Sequence, residues 1–349
     1  MPKIKILFTI PNFKTAGSQY VLLALYKGLD KNVFDPYVCV ERFPESIPAD
    51  IPTDRRLTFA FQGNTKSELF RFKKLLKNHQ IQLVHSWDYK SNFWEALACR
   101  WSGVKYIYTK KNNAWSKRWF LKSVLANHIA YDNPEMKERF FKSLLFNNKI
   151  TFIPHGVDTG KFRPVEKQTG AHFHIGCIGM IGENKNQLFL VNILKRLPEN
   201  TILHFYGNEE PEYRNRLDKT IKEQNLSQRV HFHGFVANRQ VPEILAGLNI
   251  FVLASIQEGL PVSILEAMAC GIPILSSDSG GGARYLLSSD FIFSLDNPDE
   301  FVAKFLNIYH WSAKQEEKIL LSLRGKVVAN HTEEGEVAAY DSLYSYLFK

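Results

Sequence analysis

Short apolar, strand-like runs alternate with amphipathic stretches along this chain, and the pattern runs through twice. In the first half the apolar runs fall at 4–10, 37–41, 83–85, 106–109, 128–131 and 150–153, separated by helix-spaced stretches at 18–29, 68–78, 91–101 and 135–146. The second half repeats the plan at 175–179, 202–206, 230–233, 250–253, 273–276 and 291–293. Buried strands that each lead into a helix belong to parallel sheets with right-handed crossovers. At 349 residues the chain exceeds one typical core. Two doubly wound, Rossmann-like α/β domains are therefore predicted. Turn residues and Pro164 interrupt the alternation at 156–170, so the domains are drawn at residues 1–160 and 161–333. A last helix, 334–349, carries Val337, Tyr340, Leu343, Tyr344 and Leu347 at helical spacing and is expected to pack back on the first domain.

In open parallel sheets, ligands bind beyond the carboxyl ends of the strands. After the run 250–253 comes Glu258-Gly-Leu-Pro-Val-Ser-Ile-Leu-Glu266-Ala-Met-Ala-Cys-Gly-Ile-Pro. Gly259 allows close backbone approach, Pro261 suits a first helical turn, and Gly271 with Pro273 ends the helix. The free amides at the start of the helix, and the positive end of its dipole, suit a phosphate. An ionised Glu accepts from two vicinal hydroxyls, so Glu258 and Glu266 suit sugars on either side of it. Such a segment describes a nucleotide-sugar site. Taken singly, each Glu is equally well a surface residue.

The run from Glu258 resembles the signature of family 4 retaining glycosyltransferases, which have the GT-B fold: two Rossmann-like domains facing a central cleft. Other pieces agree in order: His155-Gly-Val-Asp158 with Phe162 and Pro164, the loop from Gly179 to Lys185, the strand 230–236 ending at Val236, and Gly280-Gly281. The clear resemblance spans about residues 150 to 285. It implies that Glu266 binds the ribose, Glu258 faces hydroxyls of the transferred sugar, and Lys185 neutralises the diphosphate. It implies no bound metal and no cofactor beyond the nucleotide-diphosphate-sugar substrate. His172, His174, His231 and His233 are the nearest metal-ligand candidates, and structural roles are favoured for them.

The chain departs from the family at three places. Met180 stands where the phosphate loop usually has Arg, and Gly282-Ala-Arg284 replaces the usual Ile-Pro-Glu. Many members have a donor-touching His after the fourth strand; here Lys110-Lys-Asn112-Asn follows, so that role passes to Lys111 or Asn112. Gly17 lets the first loop approach the reaction centre. His85, Trp87 and Asp88, together with Lys110, are expected on the acceptor side.

The charge of +9 is dispersed without a nucleic-acid-binding signature, and suits phosphate-bearing substrates or an anionic membrane. In the segment 115–122, Trp115 and Trp119 on one helical face, with Lys117, Arg118 and Lys122, read either as a basic membrane contact or as a helix packed on the sheet. Four separated cysteines read as buried thiols. Neither a signal peptide nor a membrane span is visible, so the expected setting is cytoplasmic, reaching the inner face of the membrane peripherally. The predicted function is retaining transfer from a nucleotide-diphosphate-sugar to a glycan or lipid-linked acceptor in cell-surface polysaccharide assembly. Alternatives are an epimerase or other enzyme of the same architecture, and a donor-binding protein impaired by Met180. A dinucleotide-dependent oxidoreductase ranks low, because no Gly-x-Gly-x-x-Gly follows the first strand.

Overall fold

The computed structural model describes residues 2–14, 17–88, 90, 92–164 and 170–349. They divide into two units: Met1–Pro154 with Glu334–Lys349, and His155–Glu333.

The first unit holds seven parallel strands: β1 (Ile4–Ile10), β2 (Phe34–Val40), β3 (Arg56–Thr58), β4 (Leu83–Ser86), β5 (Lys105–Lys110), β6 (His128–Tyr131) and β7 (Ile150–Phe152). Their order is β3-β2-β1-β4-β5-β6-β7. The helices α1 (Ser18–Gly28), α2 (Lys66–Asn78), α3 (Trp94–Trp101), α4 (Lys117–Leu125) and α5 (Glu135–Phe140) supply the crossovers. The second unit has β8 (Phe173–Ile178), β9 (Thr201–Tyr206), β10 (Val230–Phe232), β11 (Ile250–Leu253), β12 (Ile274–Ser277) and β13 (Ile292–Phe293), ordered β10-β9-β8-β11-β12-β13. Its helices are α6 (Gln187–Ile193), α7 (Pro211–Glu223), α8 (Val241–Ala246), α9 (Val262–Cys270), α10 (Gly282–Leu286), α11 (Pro298–Tyr309) and α12 (Ala313–Asn330). Finally α13 (Glu333–Leu347) rejoins the first unit.

In each sheet the chain runs outward from a central strand, then returns to that strand's other side. The reversal lies between β1 and β4 in one unit and between β8 and β11 in the other. Neighbouring loops diverge at such a reversal and leave room for a ligand. The centre of β1 is fully buried, as an all-parallel sheet covered on both faces requires.

Several elements differ from their sequence-predicted bounds. Strand β2 begins at Phe34 and passes through Pro36, which pairs with Ile6 of β1. Pro36 is tolerated because β3 pairs only from Val38 onward, so nothing on that side asks for its missing amide. The helix expected over 135–146 stops at Phe140, and Leu144–Phe146 forms a separate 3₁₀ turn. The break turns Phe140 flat against Trp115, 5.0 Å between ring centroids, and lets Phe141 and Phe146 both enter the core. The expected helix start at 91 lies outside the described residues.

The last helix is held by buried polar bonds as well as by packing. Tyr344 Oη lies 2.6 Å from His85 Nδ1, and Tyr340 Oη 2.8 Å from Thr109 Oγ1. His85 Nε2 meets the same Thr109 hydroxyl at 2.8 Å, closing a network between α13, β4 and β5. All four cysteines are buried free thiols.

Candidate functional site

The reversal between β8 and β11 gathers the segment's chemistry. Beyond β8 the chain passes Gly179 and Met180 and turns through Lys185 into α6; beyond β11 it runs to Glu258. The two loops are stitched together: Ile256 N donates to Asn184 O at 2.7 Å, and Asn184 Nδ2 donates to Gln257 O at 2.9 Å. Across this seam Lys185 Nζ donates to Glu258 Oε1 at 2.7 Å. Gly179 makes the arrangement feasible. Its φ is +144°, and a Cβ there would lie 3.3 Å from Lys185 Cε. Gly207, at the end of β9, is tighter still, since its Cβ would strike Gly179 O at 1.8 Å. Bare backbone therefore forms the crest over β8 and β9. Met180 is exposed, and its carbonyl accepts from Gln187 Nε2.

The run after Glu258 folds as predicted into a loop and a buried helix. Pro261 is the residue just before α9, one place earlier than a first-turn position, and Gly271 ends the helix in the left-handed region at φ +68°. The first amides of a helix have no intrahelical partner, so Val262 and Ser263 present theirs beyond the helix end. This loop is braced by backbone. Glu258 N donates to Ser279 O at 2.7 Å, and a Cβ on Gly282 would fall 1.8 Å from Gly259 O. Close approach of the two loops thus explains Gly282 in the place where the family has a larger residue. Arg284 pairs on the surface with Asp278, Nε to Oδ1 at 2.9 Å.

Residues 264–270 of α9 are all buried, and Glu266 is the charged residue among them. Its Oε1 accepts from Asn238 Nδ2 at 3.1 Å, and Asn238 Oδ1 in turn accepts from Lys161 Nζ. Burial pushes the Glu266 carboxyl up to about 7, against the opposing pull of Lys161 and Asn238. A carboxylate held in an apolar helix by one amide has unfilled acceptor capacity, and hydroxyl donors would satisfy it. Val236, half-buried, precedes the turn that carries Asn238. Sequence reasoning missed Lys161 and Asn238. The signal for Lys161 was present, since it lies between Asp158 and Phe162 of a motif already singled out.

In the first unit the predicted residues divide. Gly17 caps α1 at φ +85°, and among the described residues nothing lies within 4 Å of where its Cβ would point. His85 and Trp87, expected to line the acceptor side, have no exposed surface at all. His85 sits among the rings of Phe8, Trp87, Tyr340 and Tyr344, and burial holds its pKa well below the usual imidazole value. Trp87 Nε1 donates to Ser18 O at 2.9 Å and so fixes the start of α1. Lys110 is likewise internal. Its ammonium donates to Asn112 O, Asn112 Oδ1 and Ala114 O over the Trp119 ring, clamping the loop. Asn112 Oδ1 thus serves the clamp, and Lys111 of the same loop is engaged as well. Lys111 Nζ donates to Trp87 O at 2.8 Å, and burial lowers its pKa far below the usual amine value despite Asp132, Asp88 and Glu336 nearby. Asp88 borders a narrow pocket with Glu41, Asn92, Glu95 and the Phe59 and Phe61 rings. Asp132 and Asn133, buried just past β6, were missed, although the rule that selected Asp88 applies to them equally.

The segment 115–122 needs correction. Helix α4 starts at Lys117 behind a Ser116 cap, so Trp115 is outside it. Trp119 is 3% exposed and Lys122 1%, and Lys122 Nζ donates to Lys90 O. Neither side chain can touch a membrane.

A row of histidines crosses the second sheet. His174 Nδ1 is 2.9 Å from His204 Nε2, and His204 Nδ1 is 3.0 Å from His233 Nε2, with the rings of His172, His231 and Tyr206 alongside. His204 uses its two nitrogens in opposite directions, a hydrogen-bonded chain and not a chelate. Among the described residues no group of three or more His, Cys, Asp or Glu could hold a metal ion. Burial, with the neighbouring imidazoles, lowers the pKa values of His174, His204 and His233, that of His204 to about 4. Folded pKa values below the unfolded ones mean that the unfolded chain binds more protons in acid. The stability these neutral rings contribute is present above pH ~6.5 and is lost on the way down to ~4. Calorimetric melting temperatures are therefore expected to fall across that window, and His204→Gln is expected to flatten the fall. An unchanged slope would exclude the histidine row as its cause.

Comparison with known proteins agrees with this geometry. Residues 15–161 match the Glycosyltransferase Family 4 model and residues 172–310 the model for Glycosyl transferases group 1. An Escherichia coli UDP-Gal:alpha-D-GlcNAc-diphosphoundecaprenol alpha-1,3-galactosyltransferase is 28% identical over 333 residues, covering 84% of each chain. Among solved structures, a Rickettsia africae glycosyltransferase aligns over the whole of both chains with a TM-score of 0.84 at 16% identity. The Anabaena HepE protein in complex with UDP and glucose aligns with a TM-score of 0.81 at 17% identity, over 98% of this chain and 100% of that one. The fold is GT-B. The chain belongs to the family 4 glycosyltransferases, and is a glycosyltransferase whose two domains are Rossmann-like.

Proposed function

We propose that this enzyme transfers a sugar, with retention of anomeric configuration and without a metal, from a nucleoside-diphosphate-sugar to a lipid-linked glycan acceptor. The observation that carries the reading is the meeting of Lys185, Glu258 and the amino end of α9 at one topological reversal. A diphosphate arriving there competes with Glu258 for the Lys185 ammonium. The displaced Glu258 then faces sugar hydroxyls, and the amides of Leu260, Val262 and Ser263 take the distal phosphate. The ribose hydroxyls go to Glu266, with Val236 assigned to the nucleoside. With Met180 in the loop, the leaving group relies on Lys185 for charge that the family usually divides between two cations. In the first unit Lys111 and Asp88 are assigned to substrate hydroxyls.

The E. coli relative names a UDP-sugar donor and a diphosphoundecaprenol-linked acceptor, which supports the same substrate classes here. A role in cell-surface polysaccharide assembly on the inner face of a membrane follows from that acceptor. The test is to incubate the protein, with EDTA present, with UDP-galactose and other nucleotide sugars, alone and with a GlcNAc-diphospholipid acceptor. The expected product carries a new α-linkage by NMR and forms only when acceptor is present. A β-linked product, or a sugar altered or released in the absence of acceptor, would overturn the reading.

A further inference from the structure

We propose that the outer face of α4, together with the adjoining turn Leu144–Phe146, is a docking surface for a membrane rich in anionic lipid. The proposal rests on the reading of a lipid-linked acceptor, and it moves the contact away from the tryptophans of the 115–122 segment. Phe120, Leu121 and Val124 are 42%, 38% and 38% exposed, and Leu144 and Leu145 86% and 65%. Single exposed apolar residues are ordinary; five in one place are not.

The structure brings the two pieces together. Phe120 and Phe146 make an edge-to-face ring contact at 5.8 Å. Lys149 Nζ donates to Ser123 O at 2.7 Å and Val124 O at 3.0 Å, which ties the segment after the turn to the carboxyl end of α4. Spacing on α4 sets Lys117, Phe120, Leu121 and Val124 on one face, while Trp119, Lys122 and Ser123 fill the opposite, buried one.

Charge selects the occupant. From Lys110 to Tyr131, and again from Arg139 to Val157, the sequence has no Asp or Glu. Lys117 and Arg118 flank the apolar face at one end, and Lys142 precedes the leucines at the other, leaning toward Glu138 at 3.9 Å. Leucine and phenylalanine side chains would enter the acyl boundary while the basic heads reach lipid phosphates. A second copy of the chain would bring two basic rims face to face, which disfavours a dimer.

The full chain should sediment with sucrose-loaded vesicles of phosphatidylglycerol and phosphatidylcholine, less so as salt rises, and much less with phosphatidylcholine alone. Lys117→Gln with Arg118→Gln should weaken binding about 25-fold, since each basic residue near an anionic surface is worth about fivefold. Leu144→Ser with Leu145→Ser should weaken it at least about tenfold. Melting temperature and transfer to a water-soluble acceptor should stay at wild-type values in both variants. Equal binding to both vesicle types, or binding unchanged in both variants, would overturn the surface. So would self-association that the leucine variant abolishes while vesicles go unbound. Vesicle binding by a wild-type protein that transfers no sugar would sink the acceptor reading and leave the surface standing.

Discussion

Lys185→Ala is expected to lower kcat for glycosyl transfer about 10²- to 10³-fold, the usual loss when one preorganised group opposite developing charge is removed. The figure belongs at the upper end here. Departure of a nucleoside diphosphate builds negative charge on the phosphates, and Met180 contributes nothing to hold it. Lys185 is paired with Glu258, 2.7 Å away, so the ammonium is held in place and partly desolvated. On the proposed reading, donor binding would exchange one anionic partner for another at little reorganisation. The variant should keep a cooperative melt, because the pair joins two loops that backbone and Asn184 bonds also join. Met180→Arg is the informative companion. Restoring a second cation should raise kcat in the wild type and recover part of the loss in Lys185→Ala. A kcat within threefold of wild type for Lys185→Ala, in a folded protein, would remove Lys185 from leaving-group stabilisation.

The fold of the segment from Glu258 to Gly271 was legible because its logic is local. A strand, a glycine loop, a proline and a helix holding a carboxylate occur within some twenty residues of one another, and the bounds of the helix are written in Pro261 and Gly271. What lay hidden depended on contacts between distant segments. His85 reads as a site residue by its place after a strand, yet Tyr340 and Tyr344, some 250 positions later, cover it. Two adjacent lysines are both drawn inside by carbonyls the sequence does not reveal: Lys110 clamps its own loop through Asn112 O and Ala114 O, while Lys111 reaches Trp87 O beyond β4. Strand β3 is three residues long, too short for any periodic signal. One miss was avoidable. Thr65 and Glu68 form a capping box, with Glu68 held at a pKa of about 2 by the backbone amides of Thr65, Gly63 and Gln62, and the Thr-x-x-Glu pattern marks the start of α2 two residues before the predicted one.

Glu266→Gln is expected to move stability and binding in opposite directions. Glu266 is 8% exposed, and burial pushes the pKa of its carboxyl up from an ordinary 4.5 to about 7. A folded pKa above the unfolded one means that the folded protein holds the proton more tightly. That contribution is complete below pH ~4.5 and is lost as pH rises through ~7. At pH 8 the ionised carboxylate then costs the unliganded protein on the order of 3 kcal/mol relative to its acid form. Glutamine keeps the shape and the acceptor oxygen but never ionises. The variant's melting temperature should therefore exceed that of wild type by several degrees at pH 8, with the gap closing toward pH 4.5. The histidine row acts with the opposite sign over the acid range, but it is present in both proteins and cancels in the difference. Nucleotide binding should answer the other way. A charged acceptor is worth about 1.5–3 kcal/mol to a hydroxyl pair, so affinity for UDP should fall about 10- to 100-fold at pH 8. A gain in melting temperature with a loss of UDP affinity would be the trade-off expected where a binding site is preorganised. Equal UDP affinity together with a lower melting temperature at pH 8 would make Glu266 a structural residue and take the ribose elsewhere.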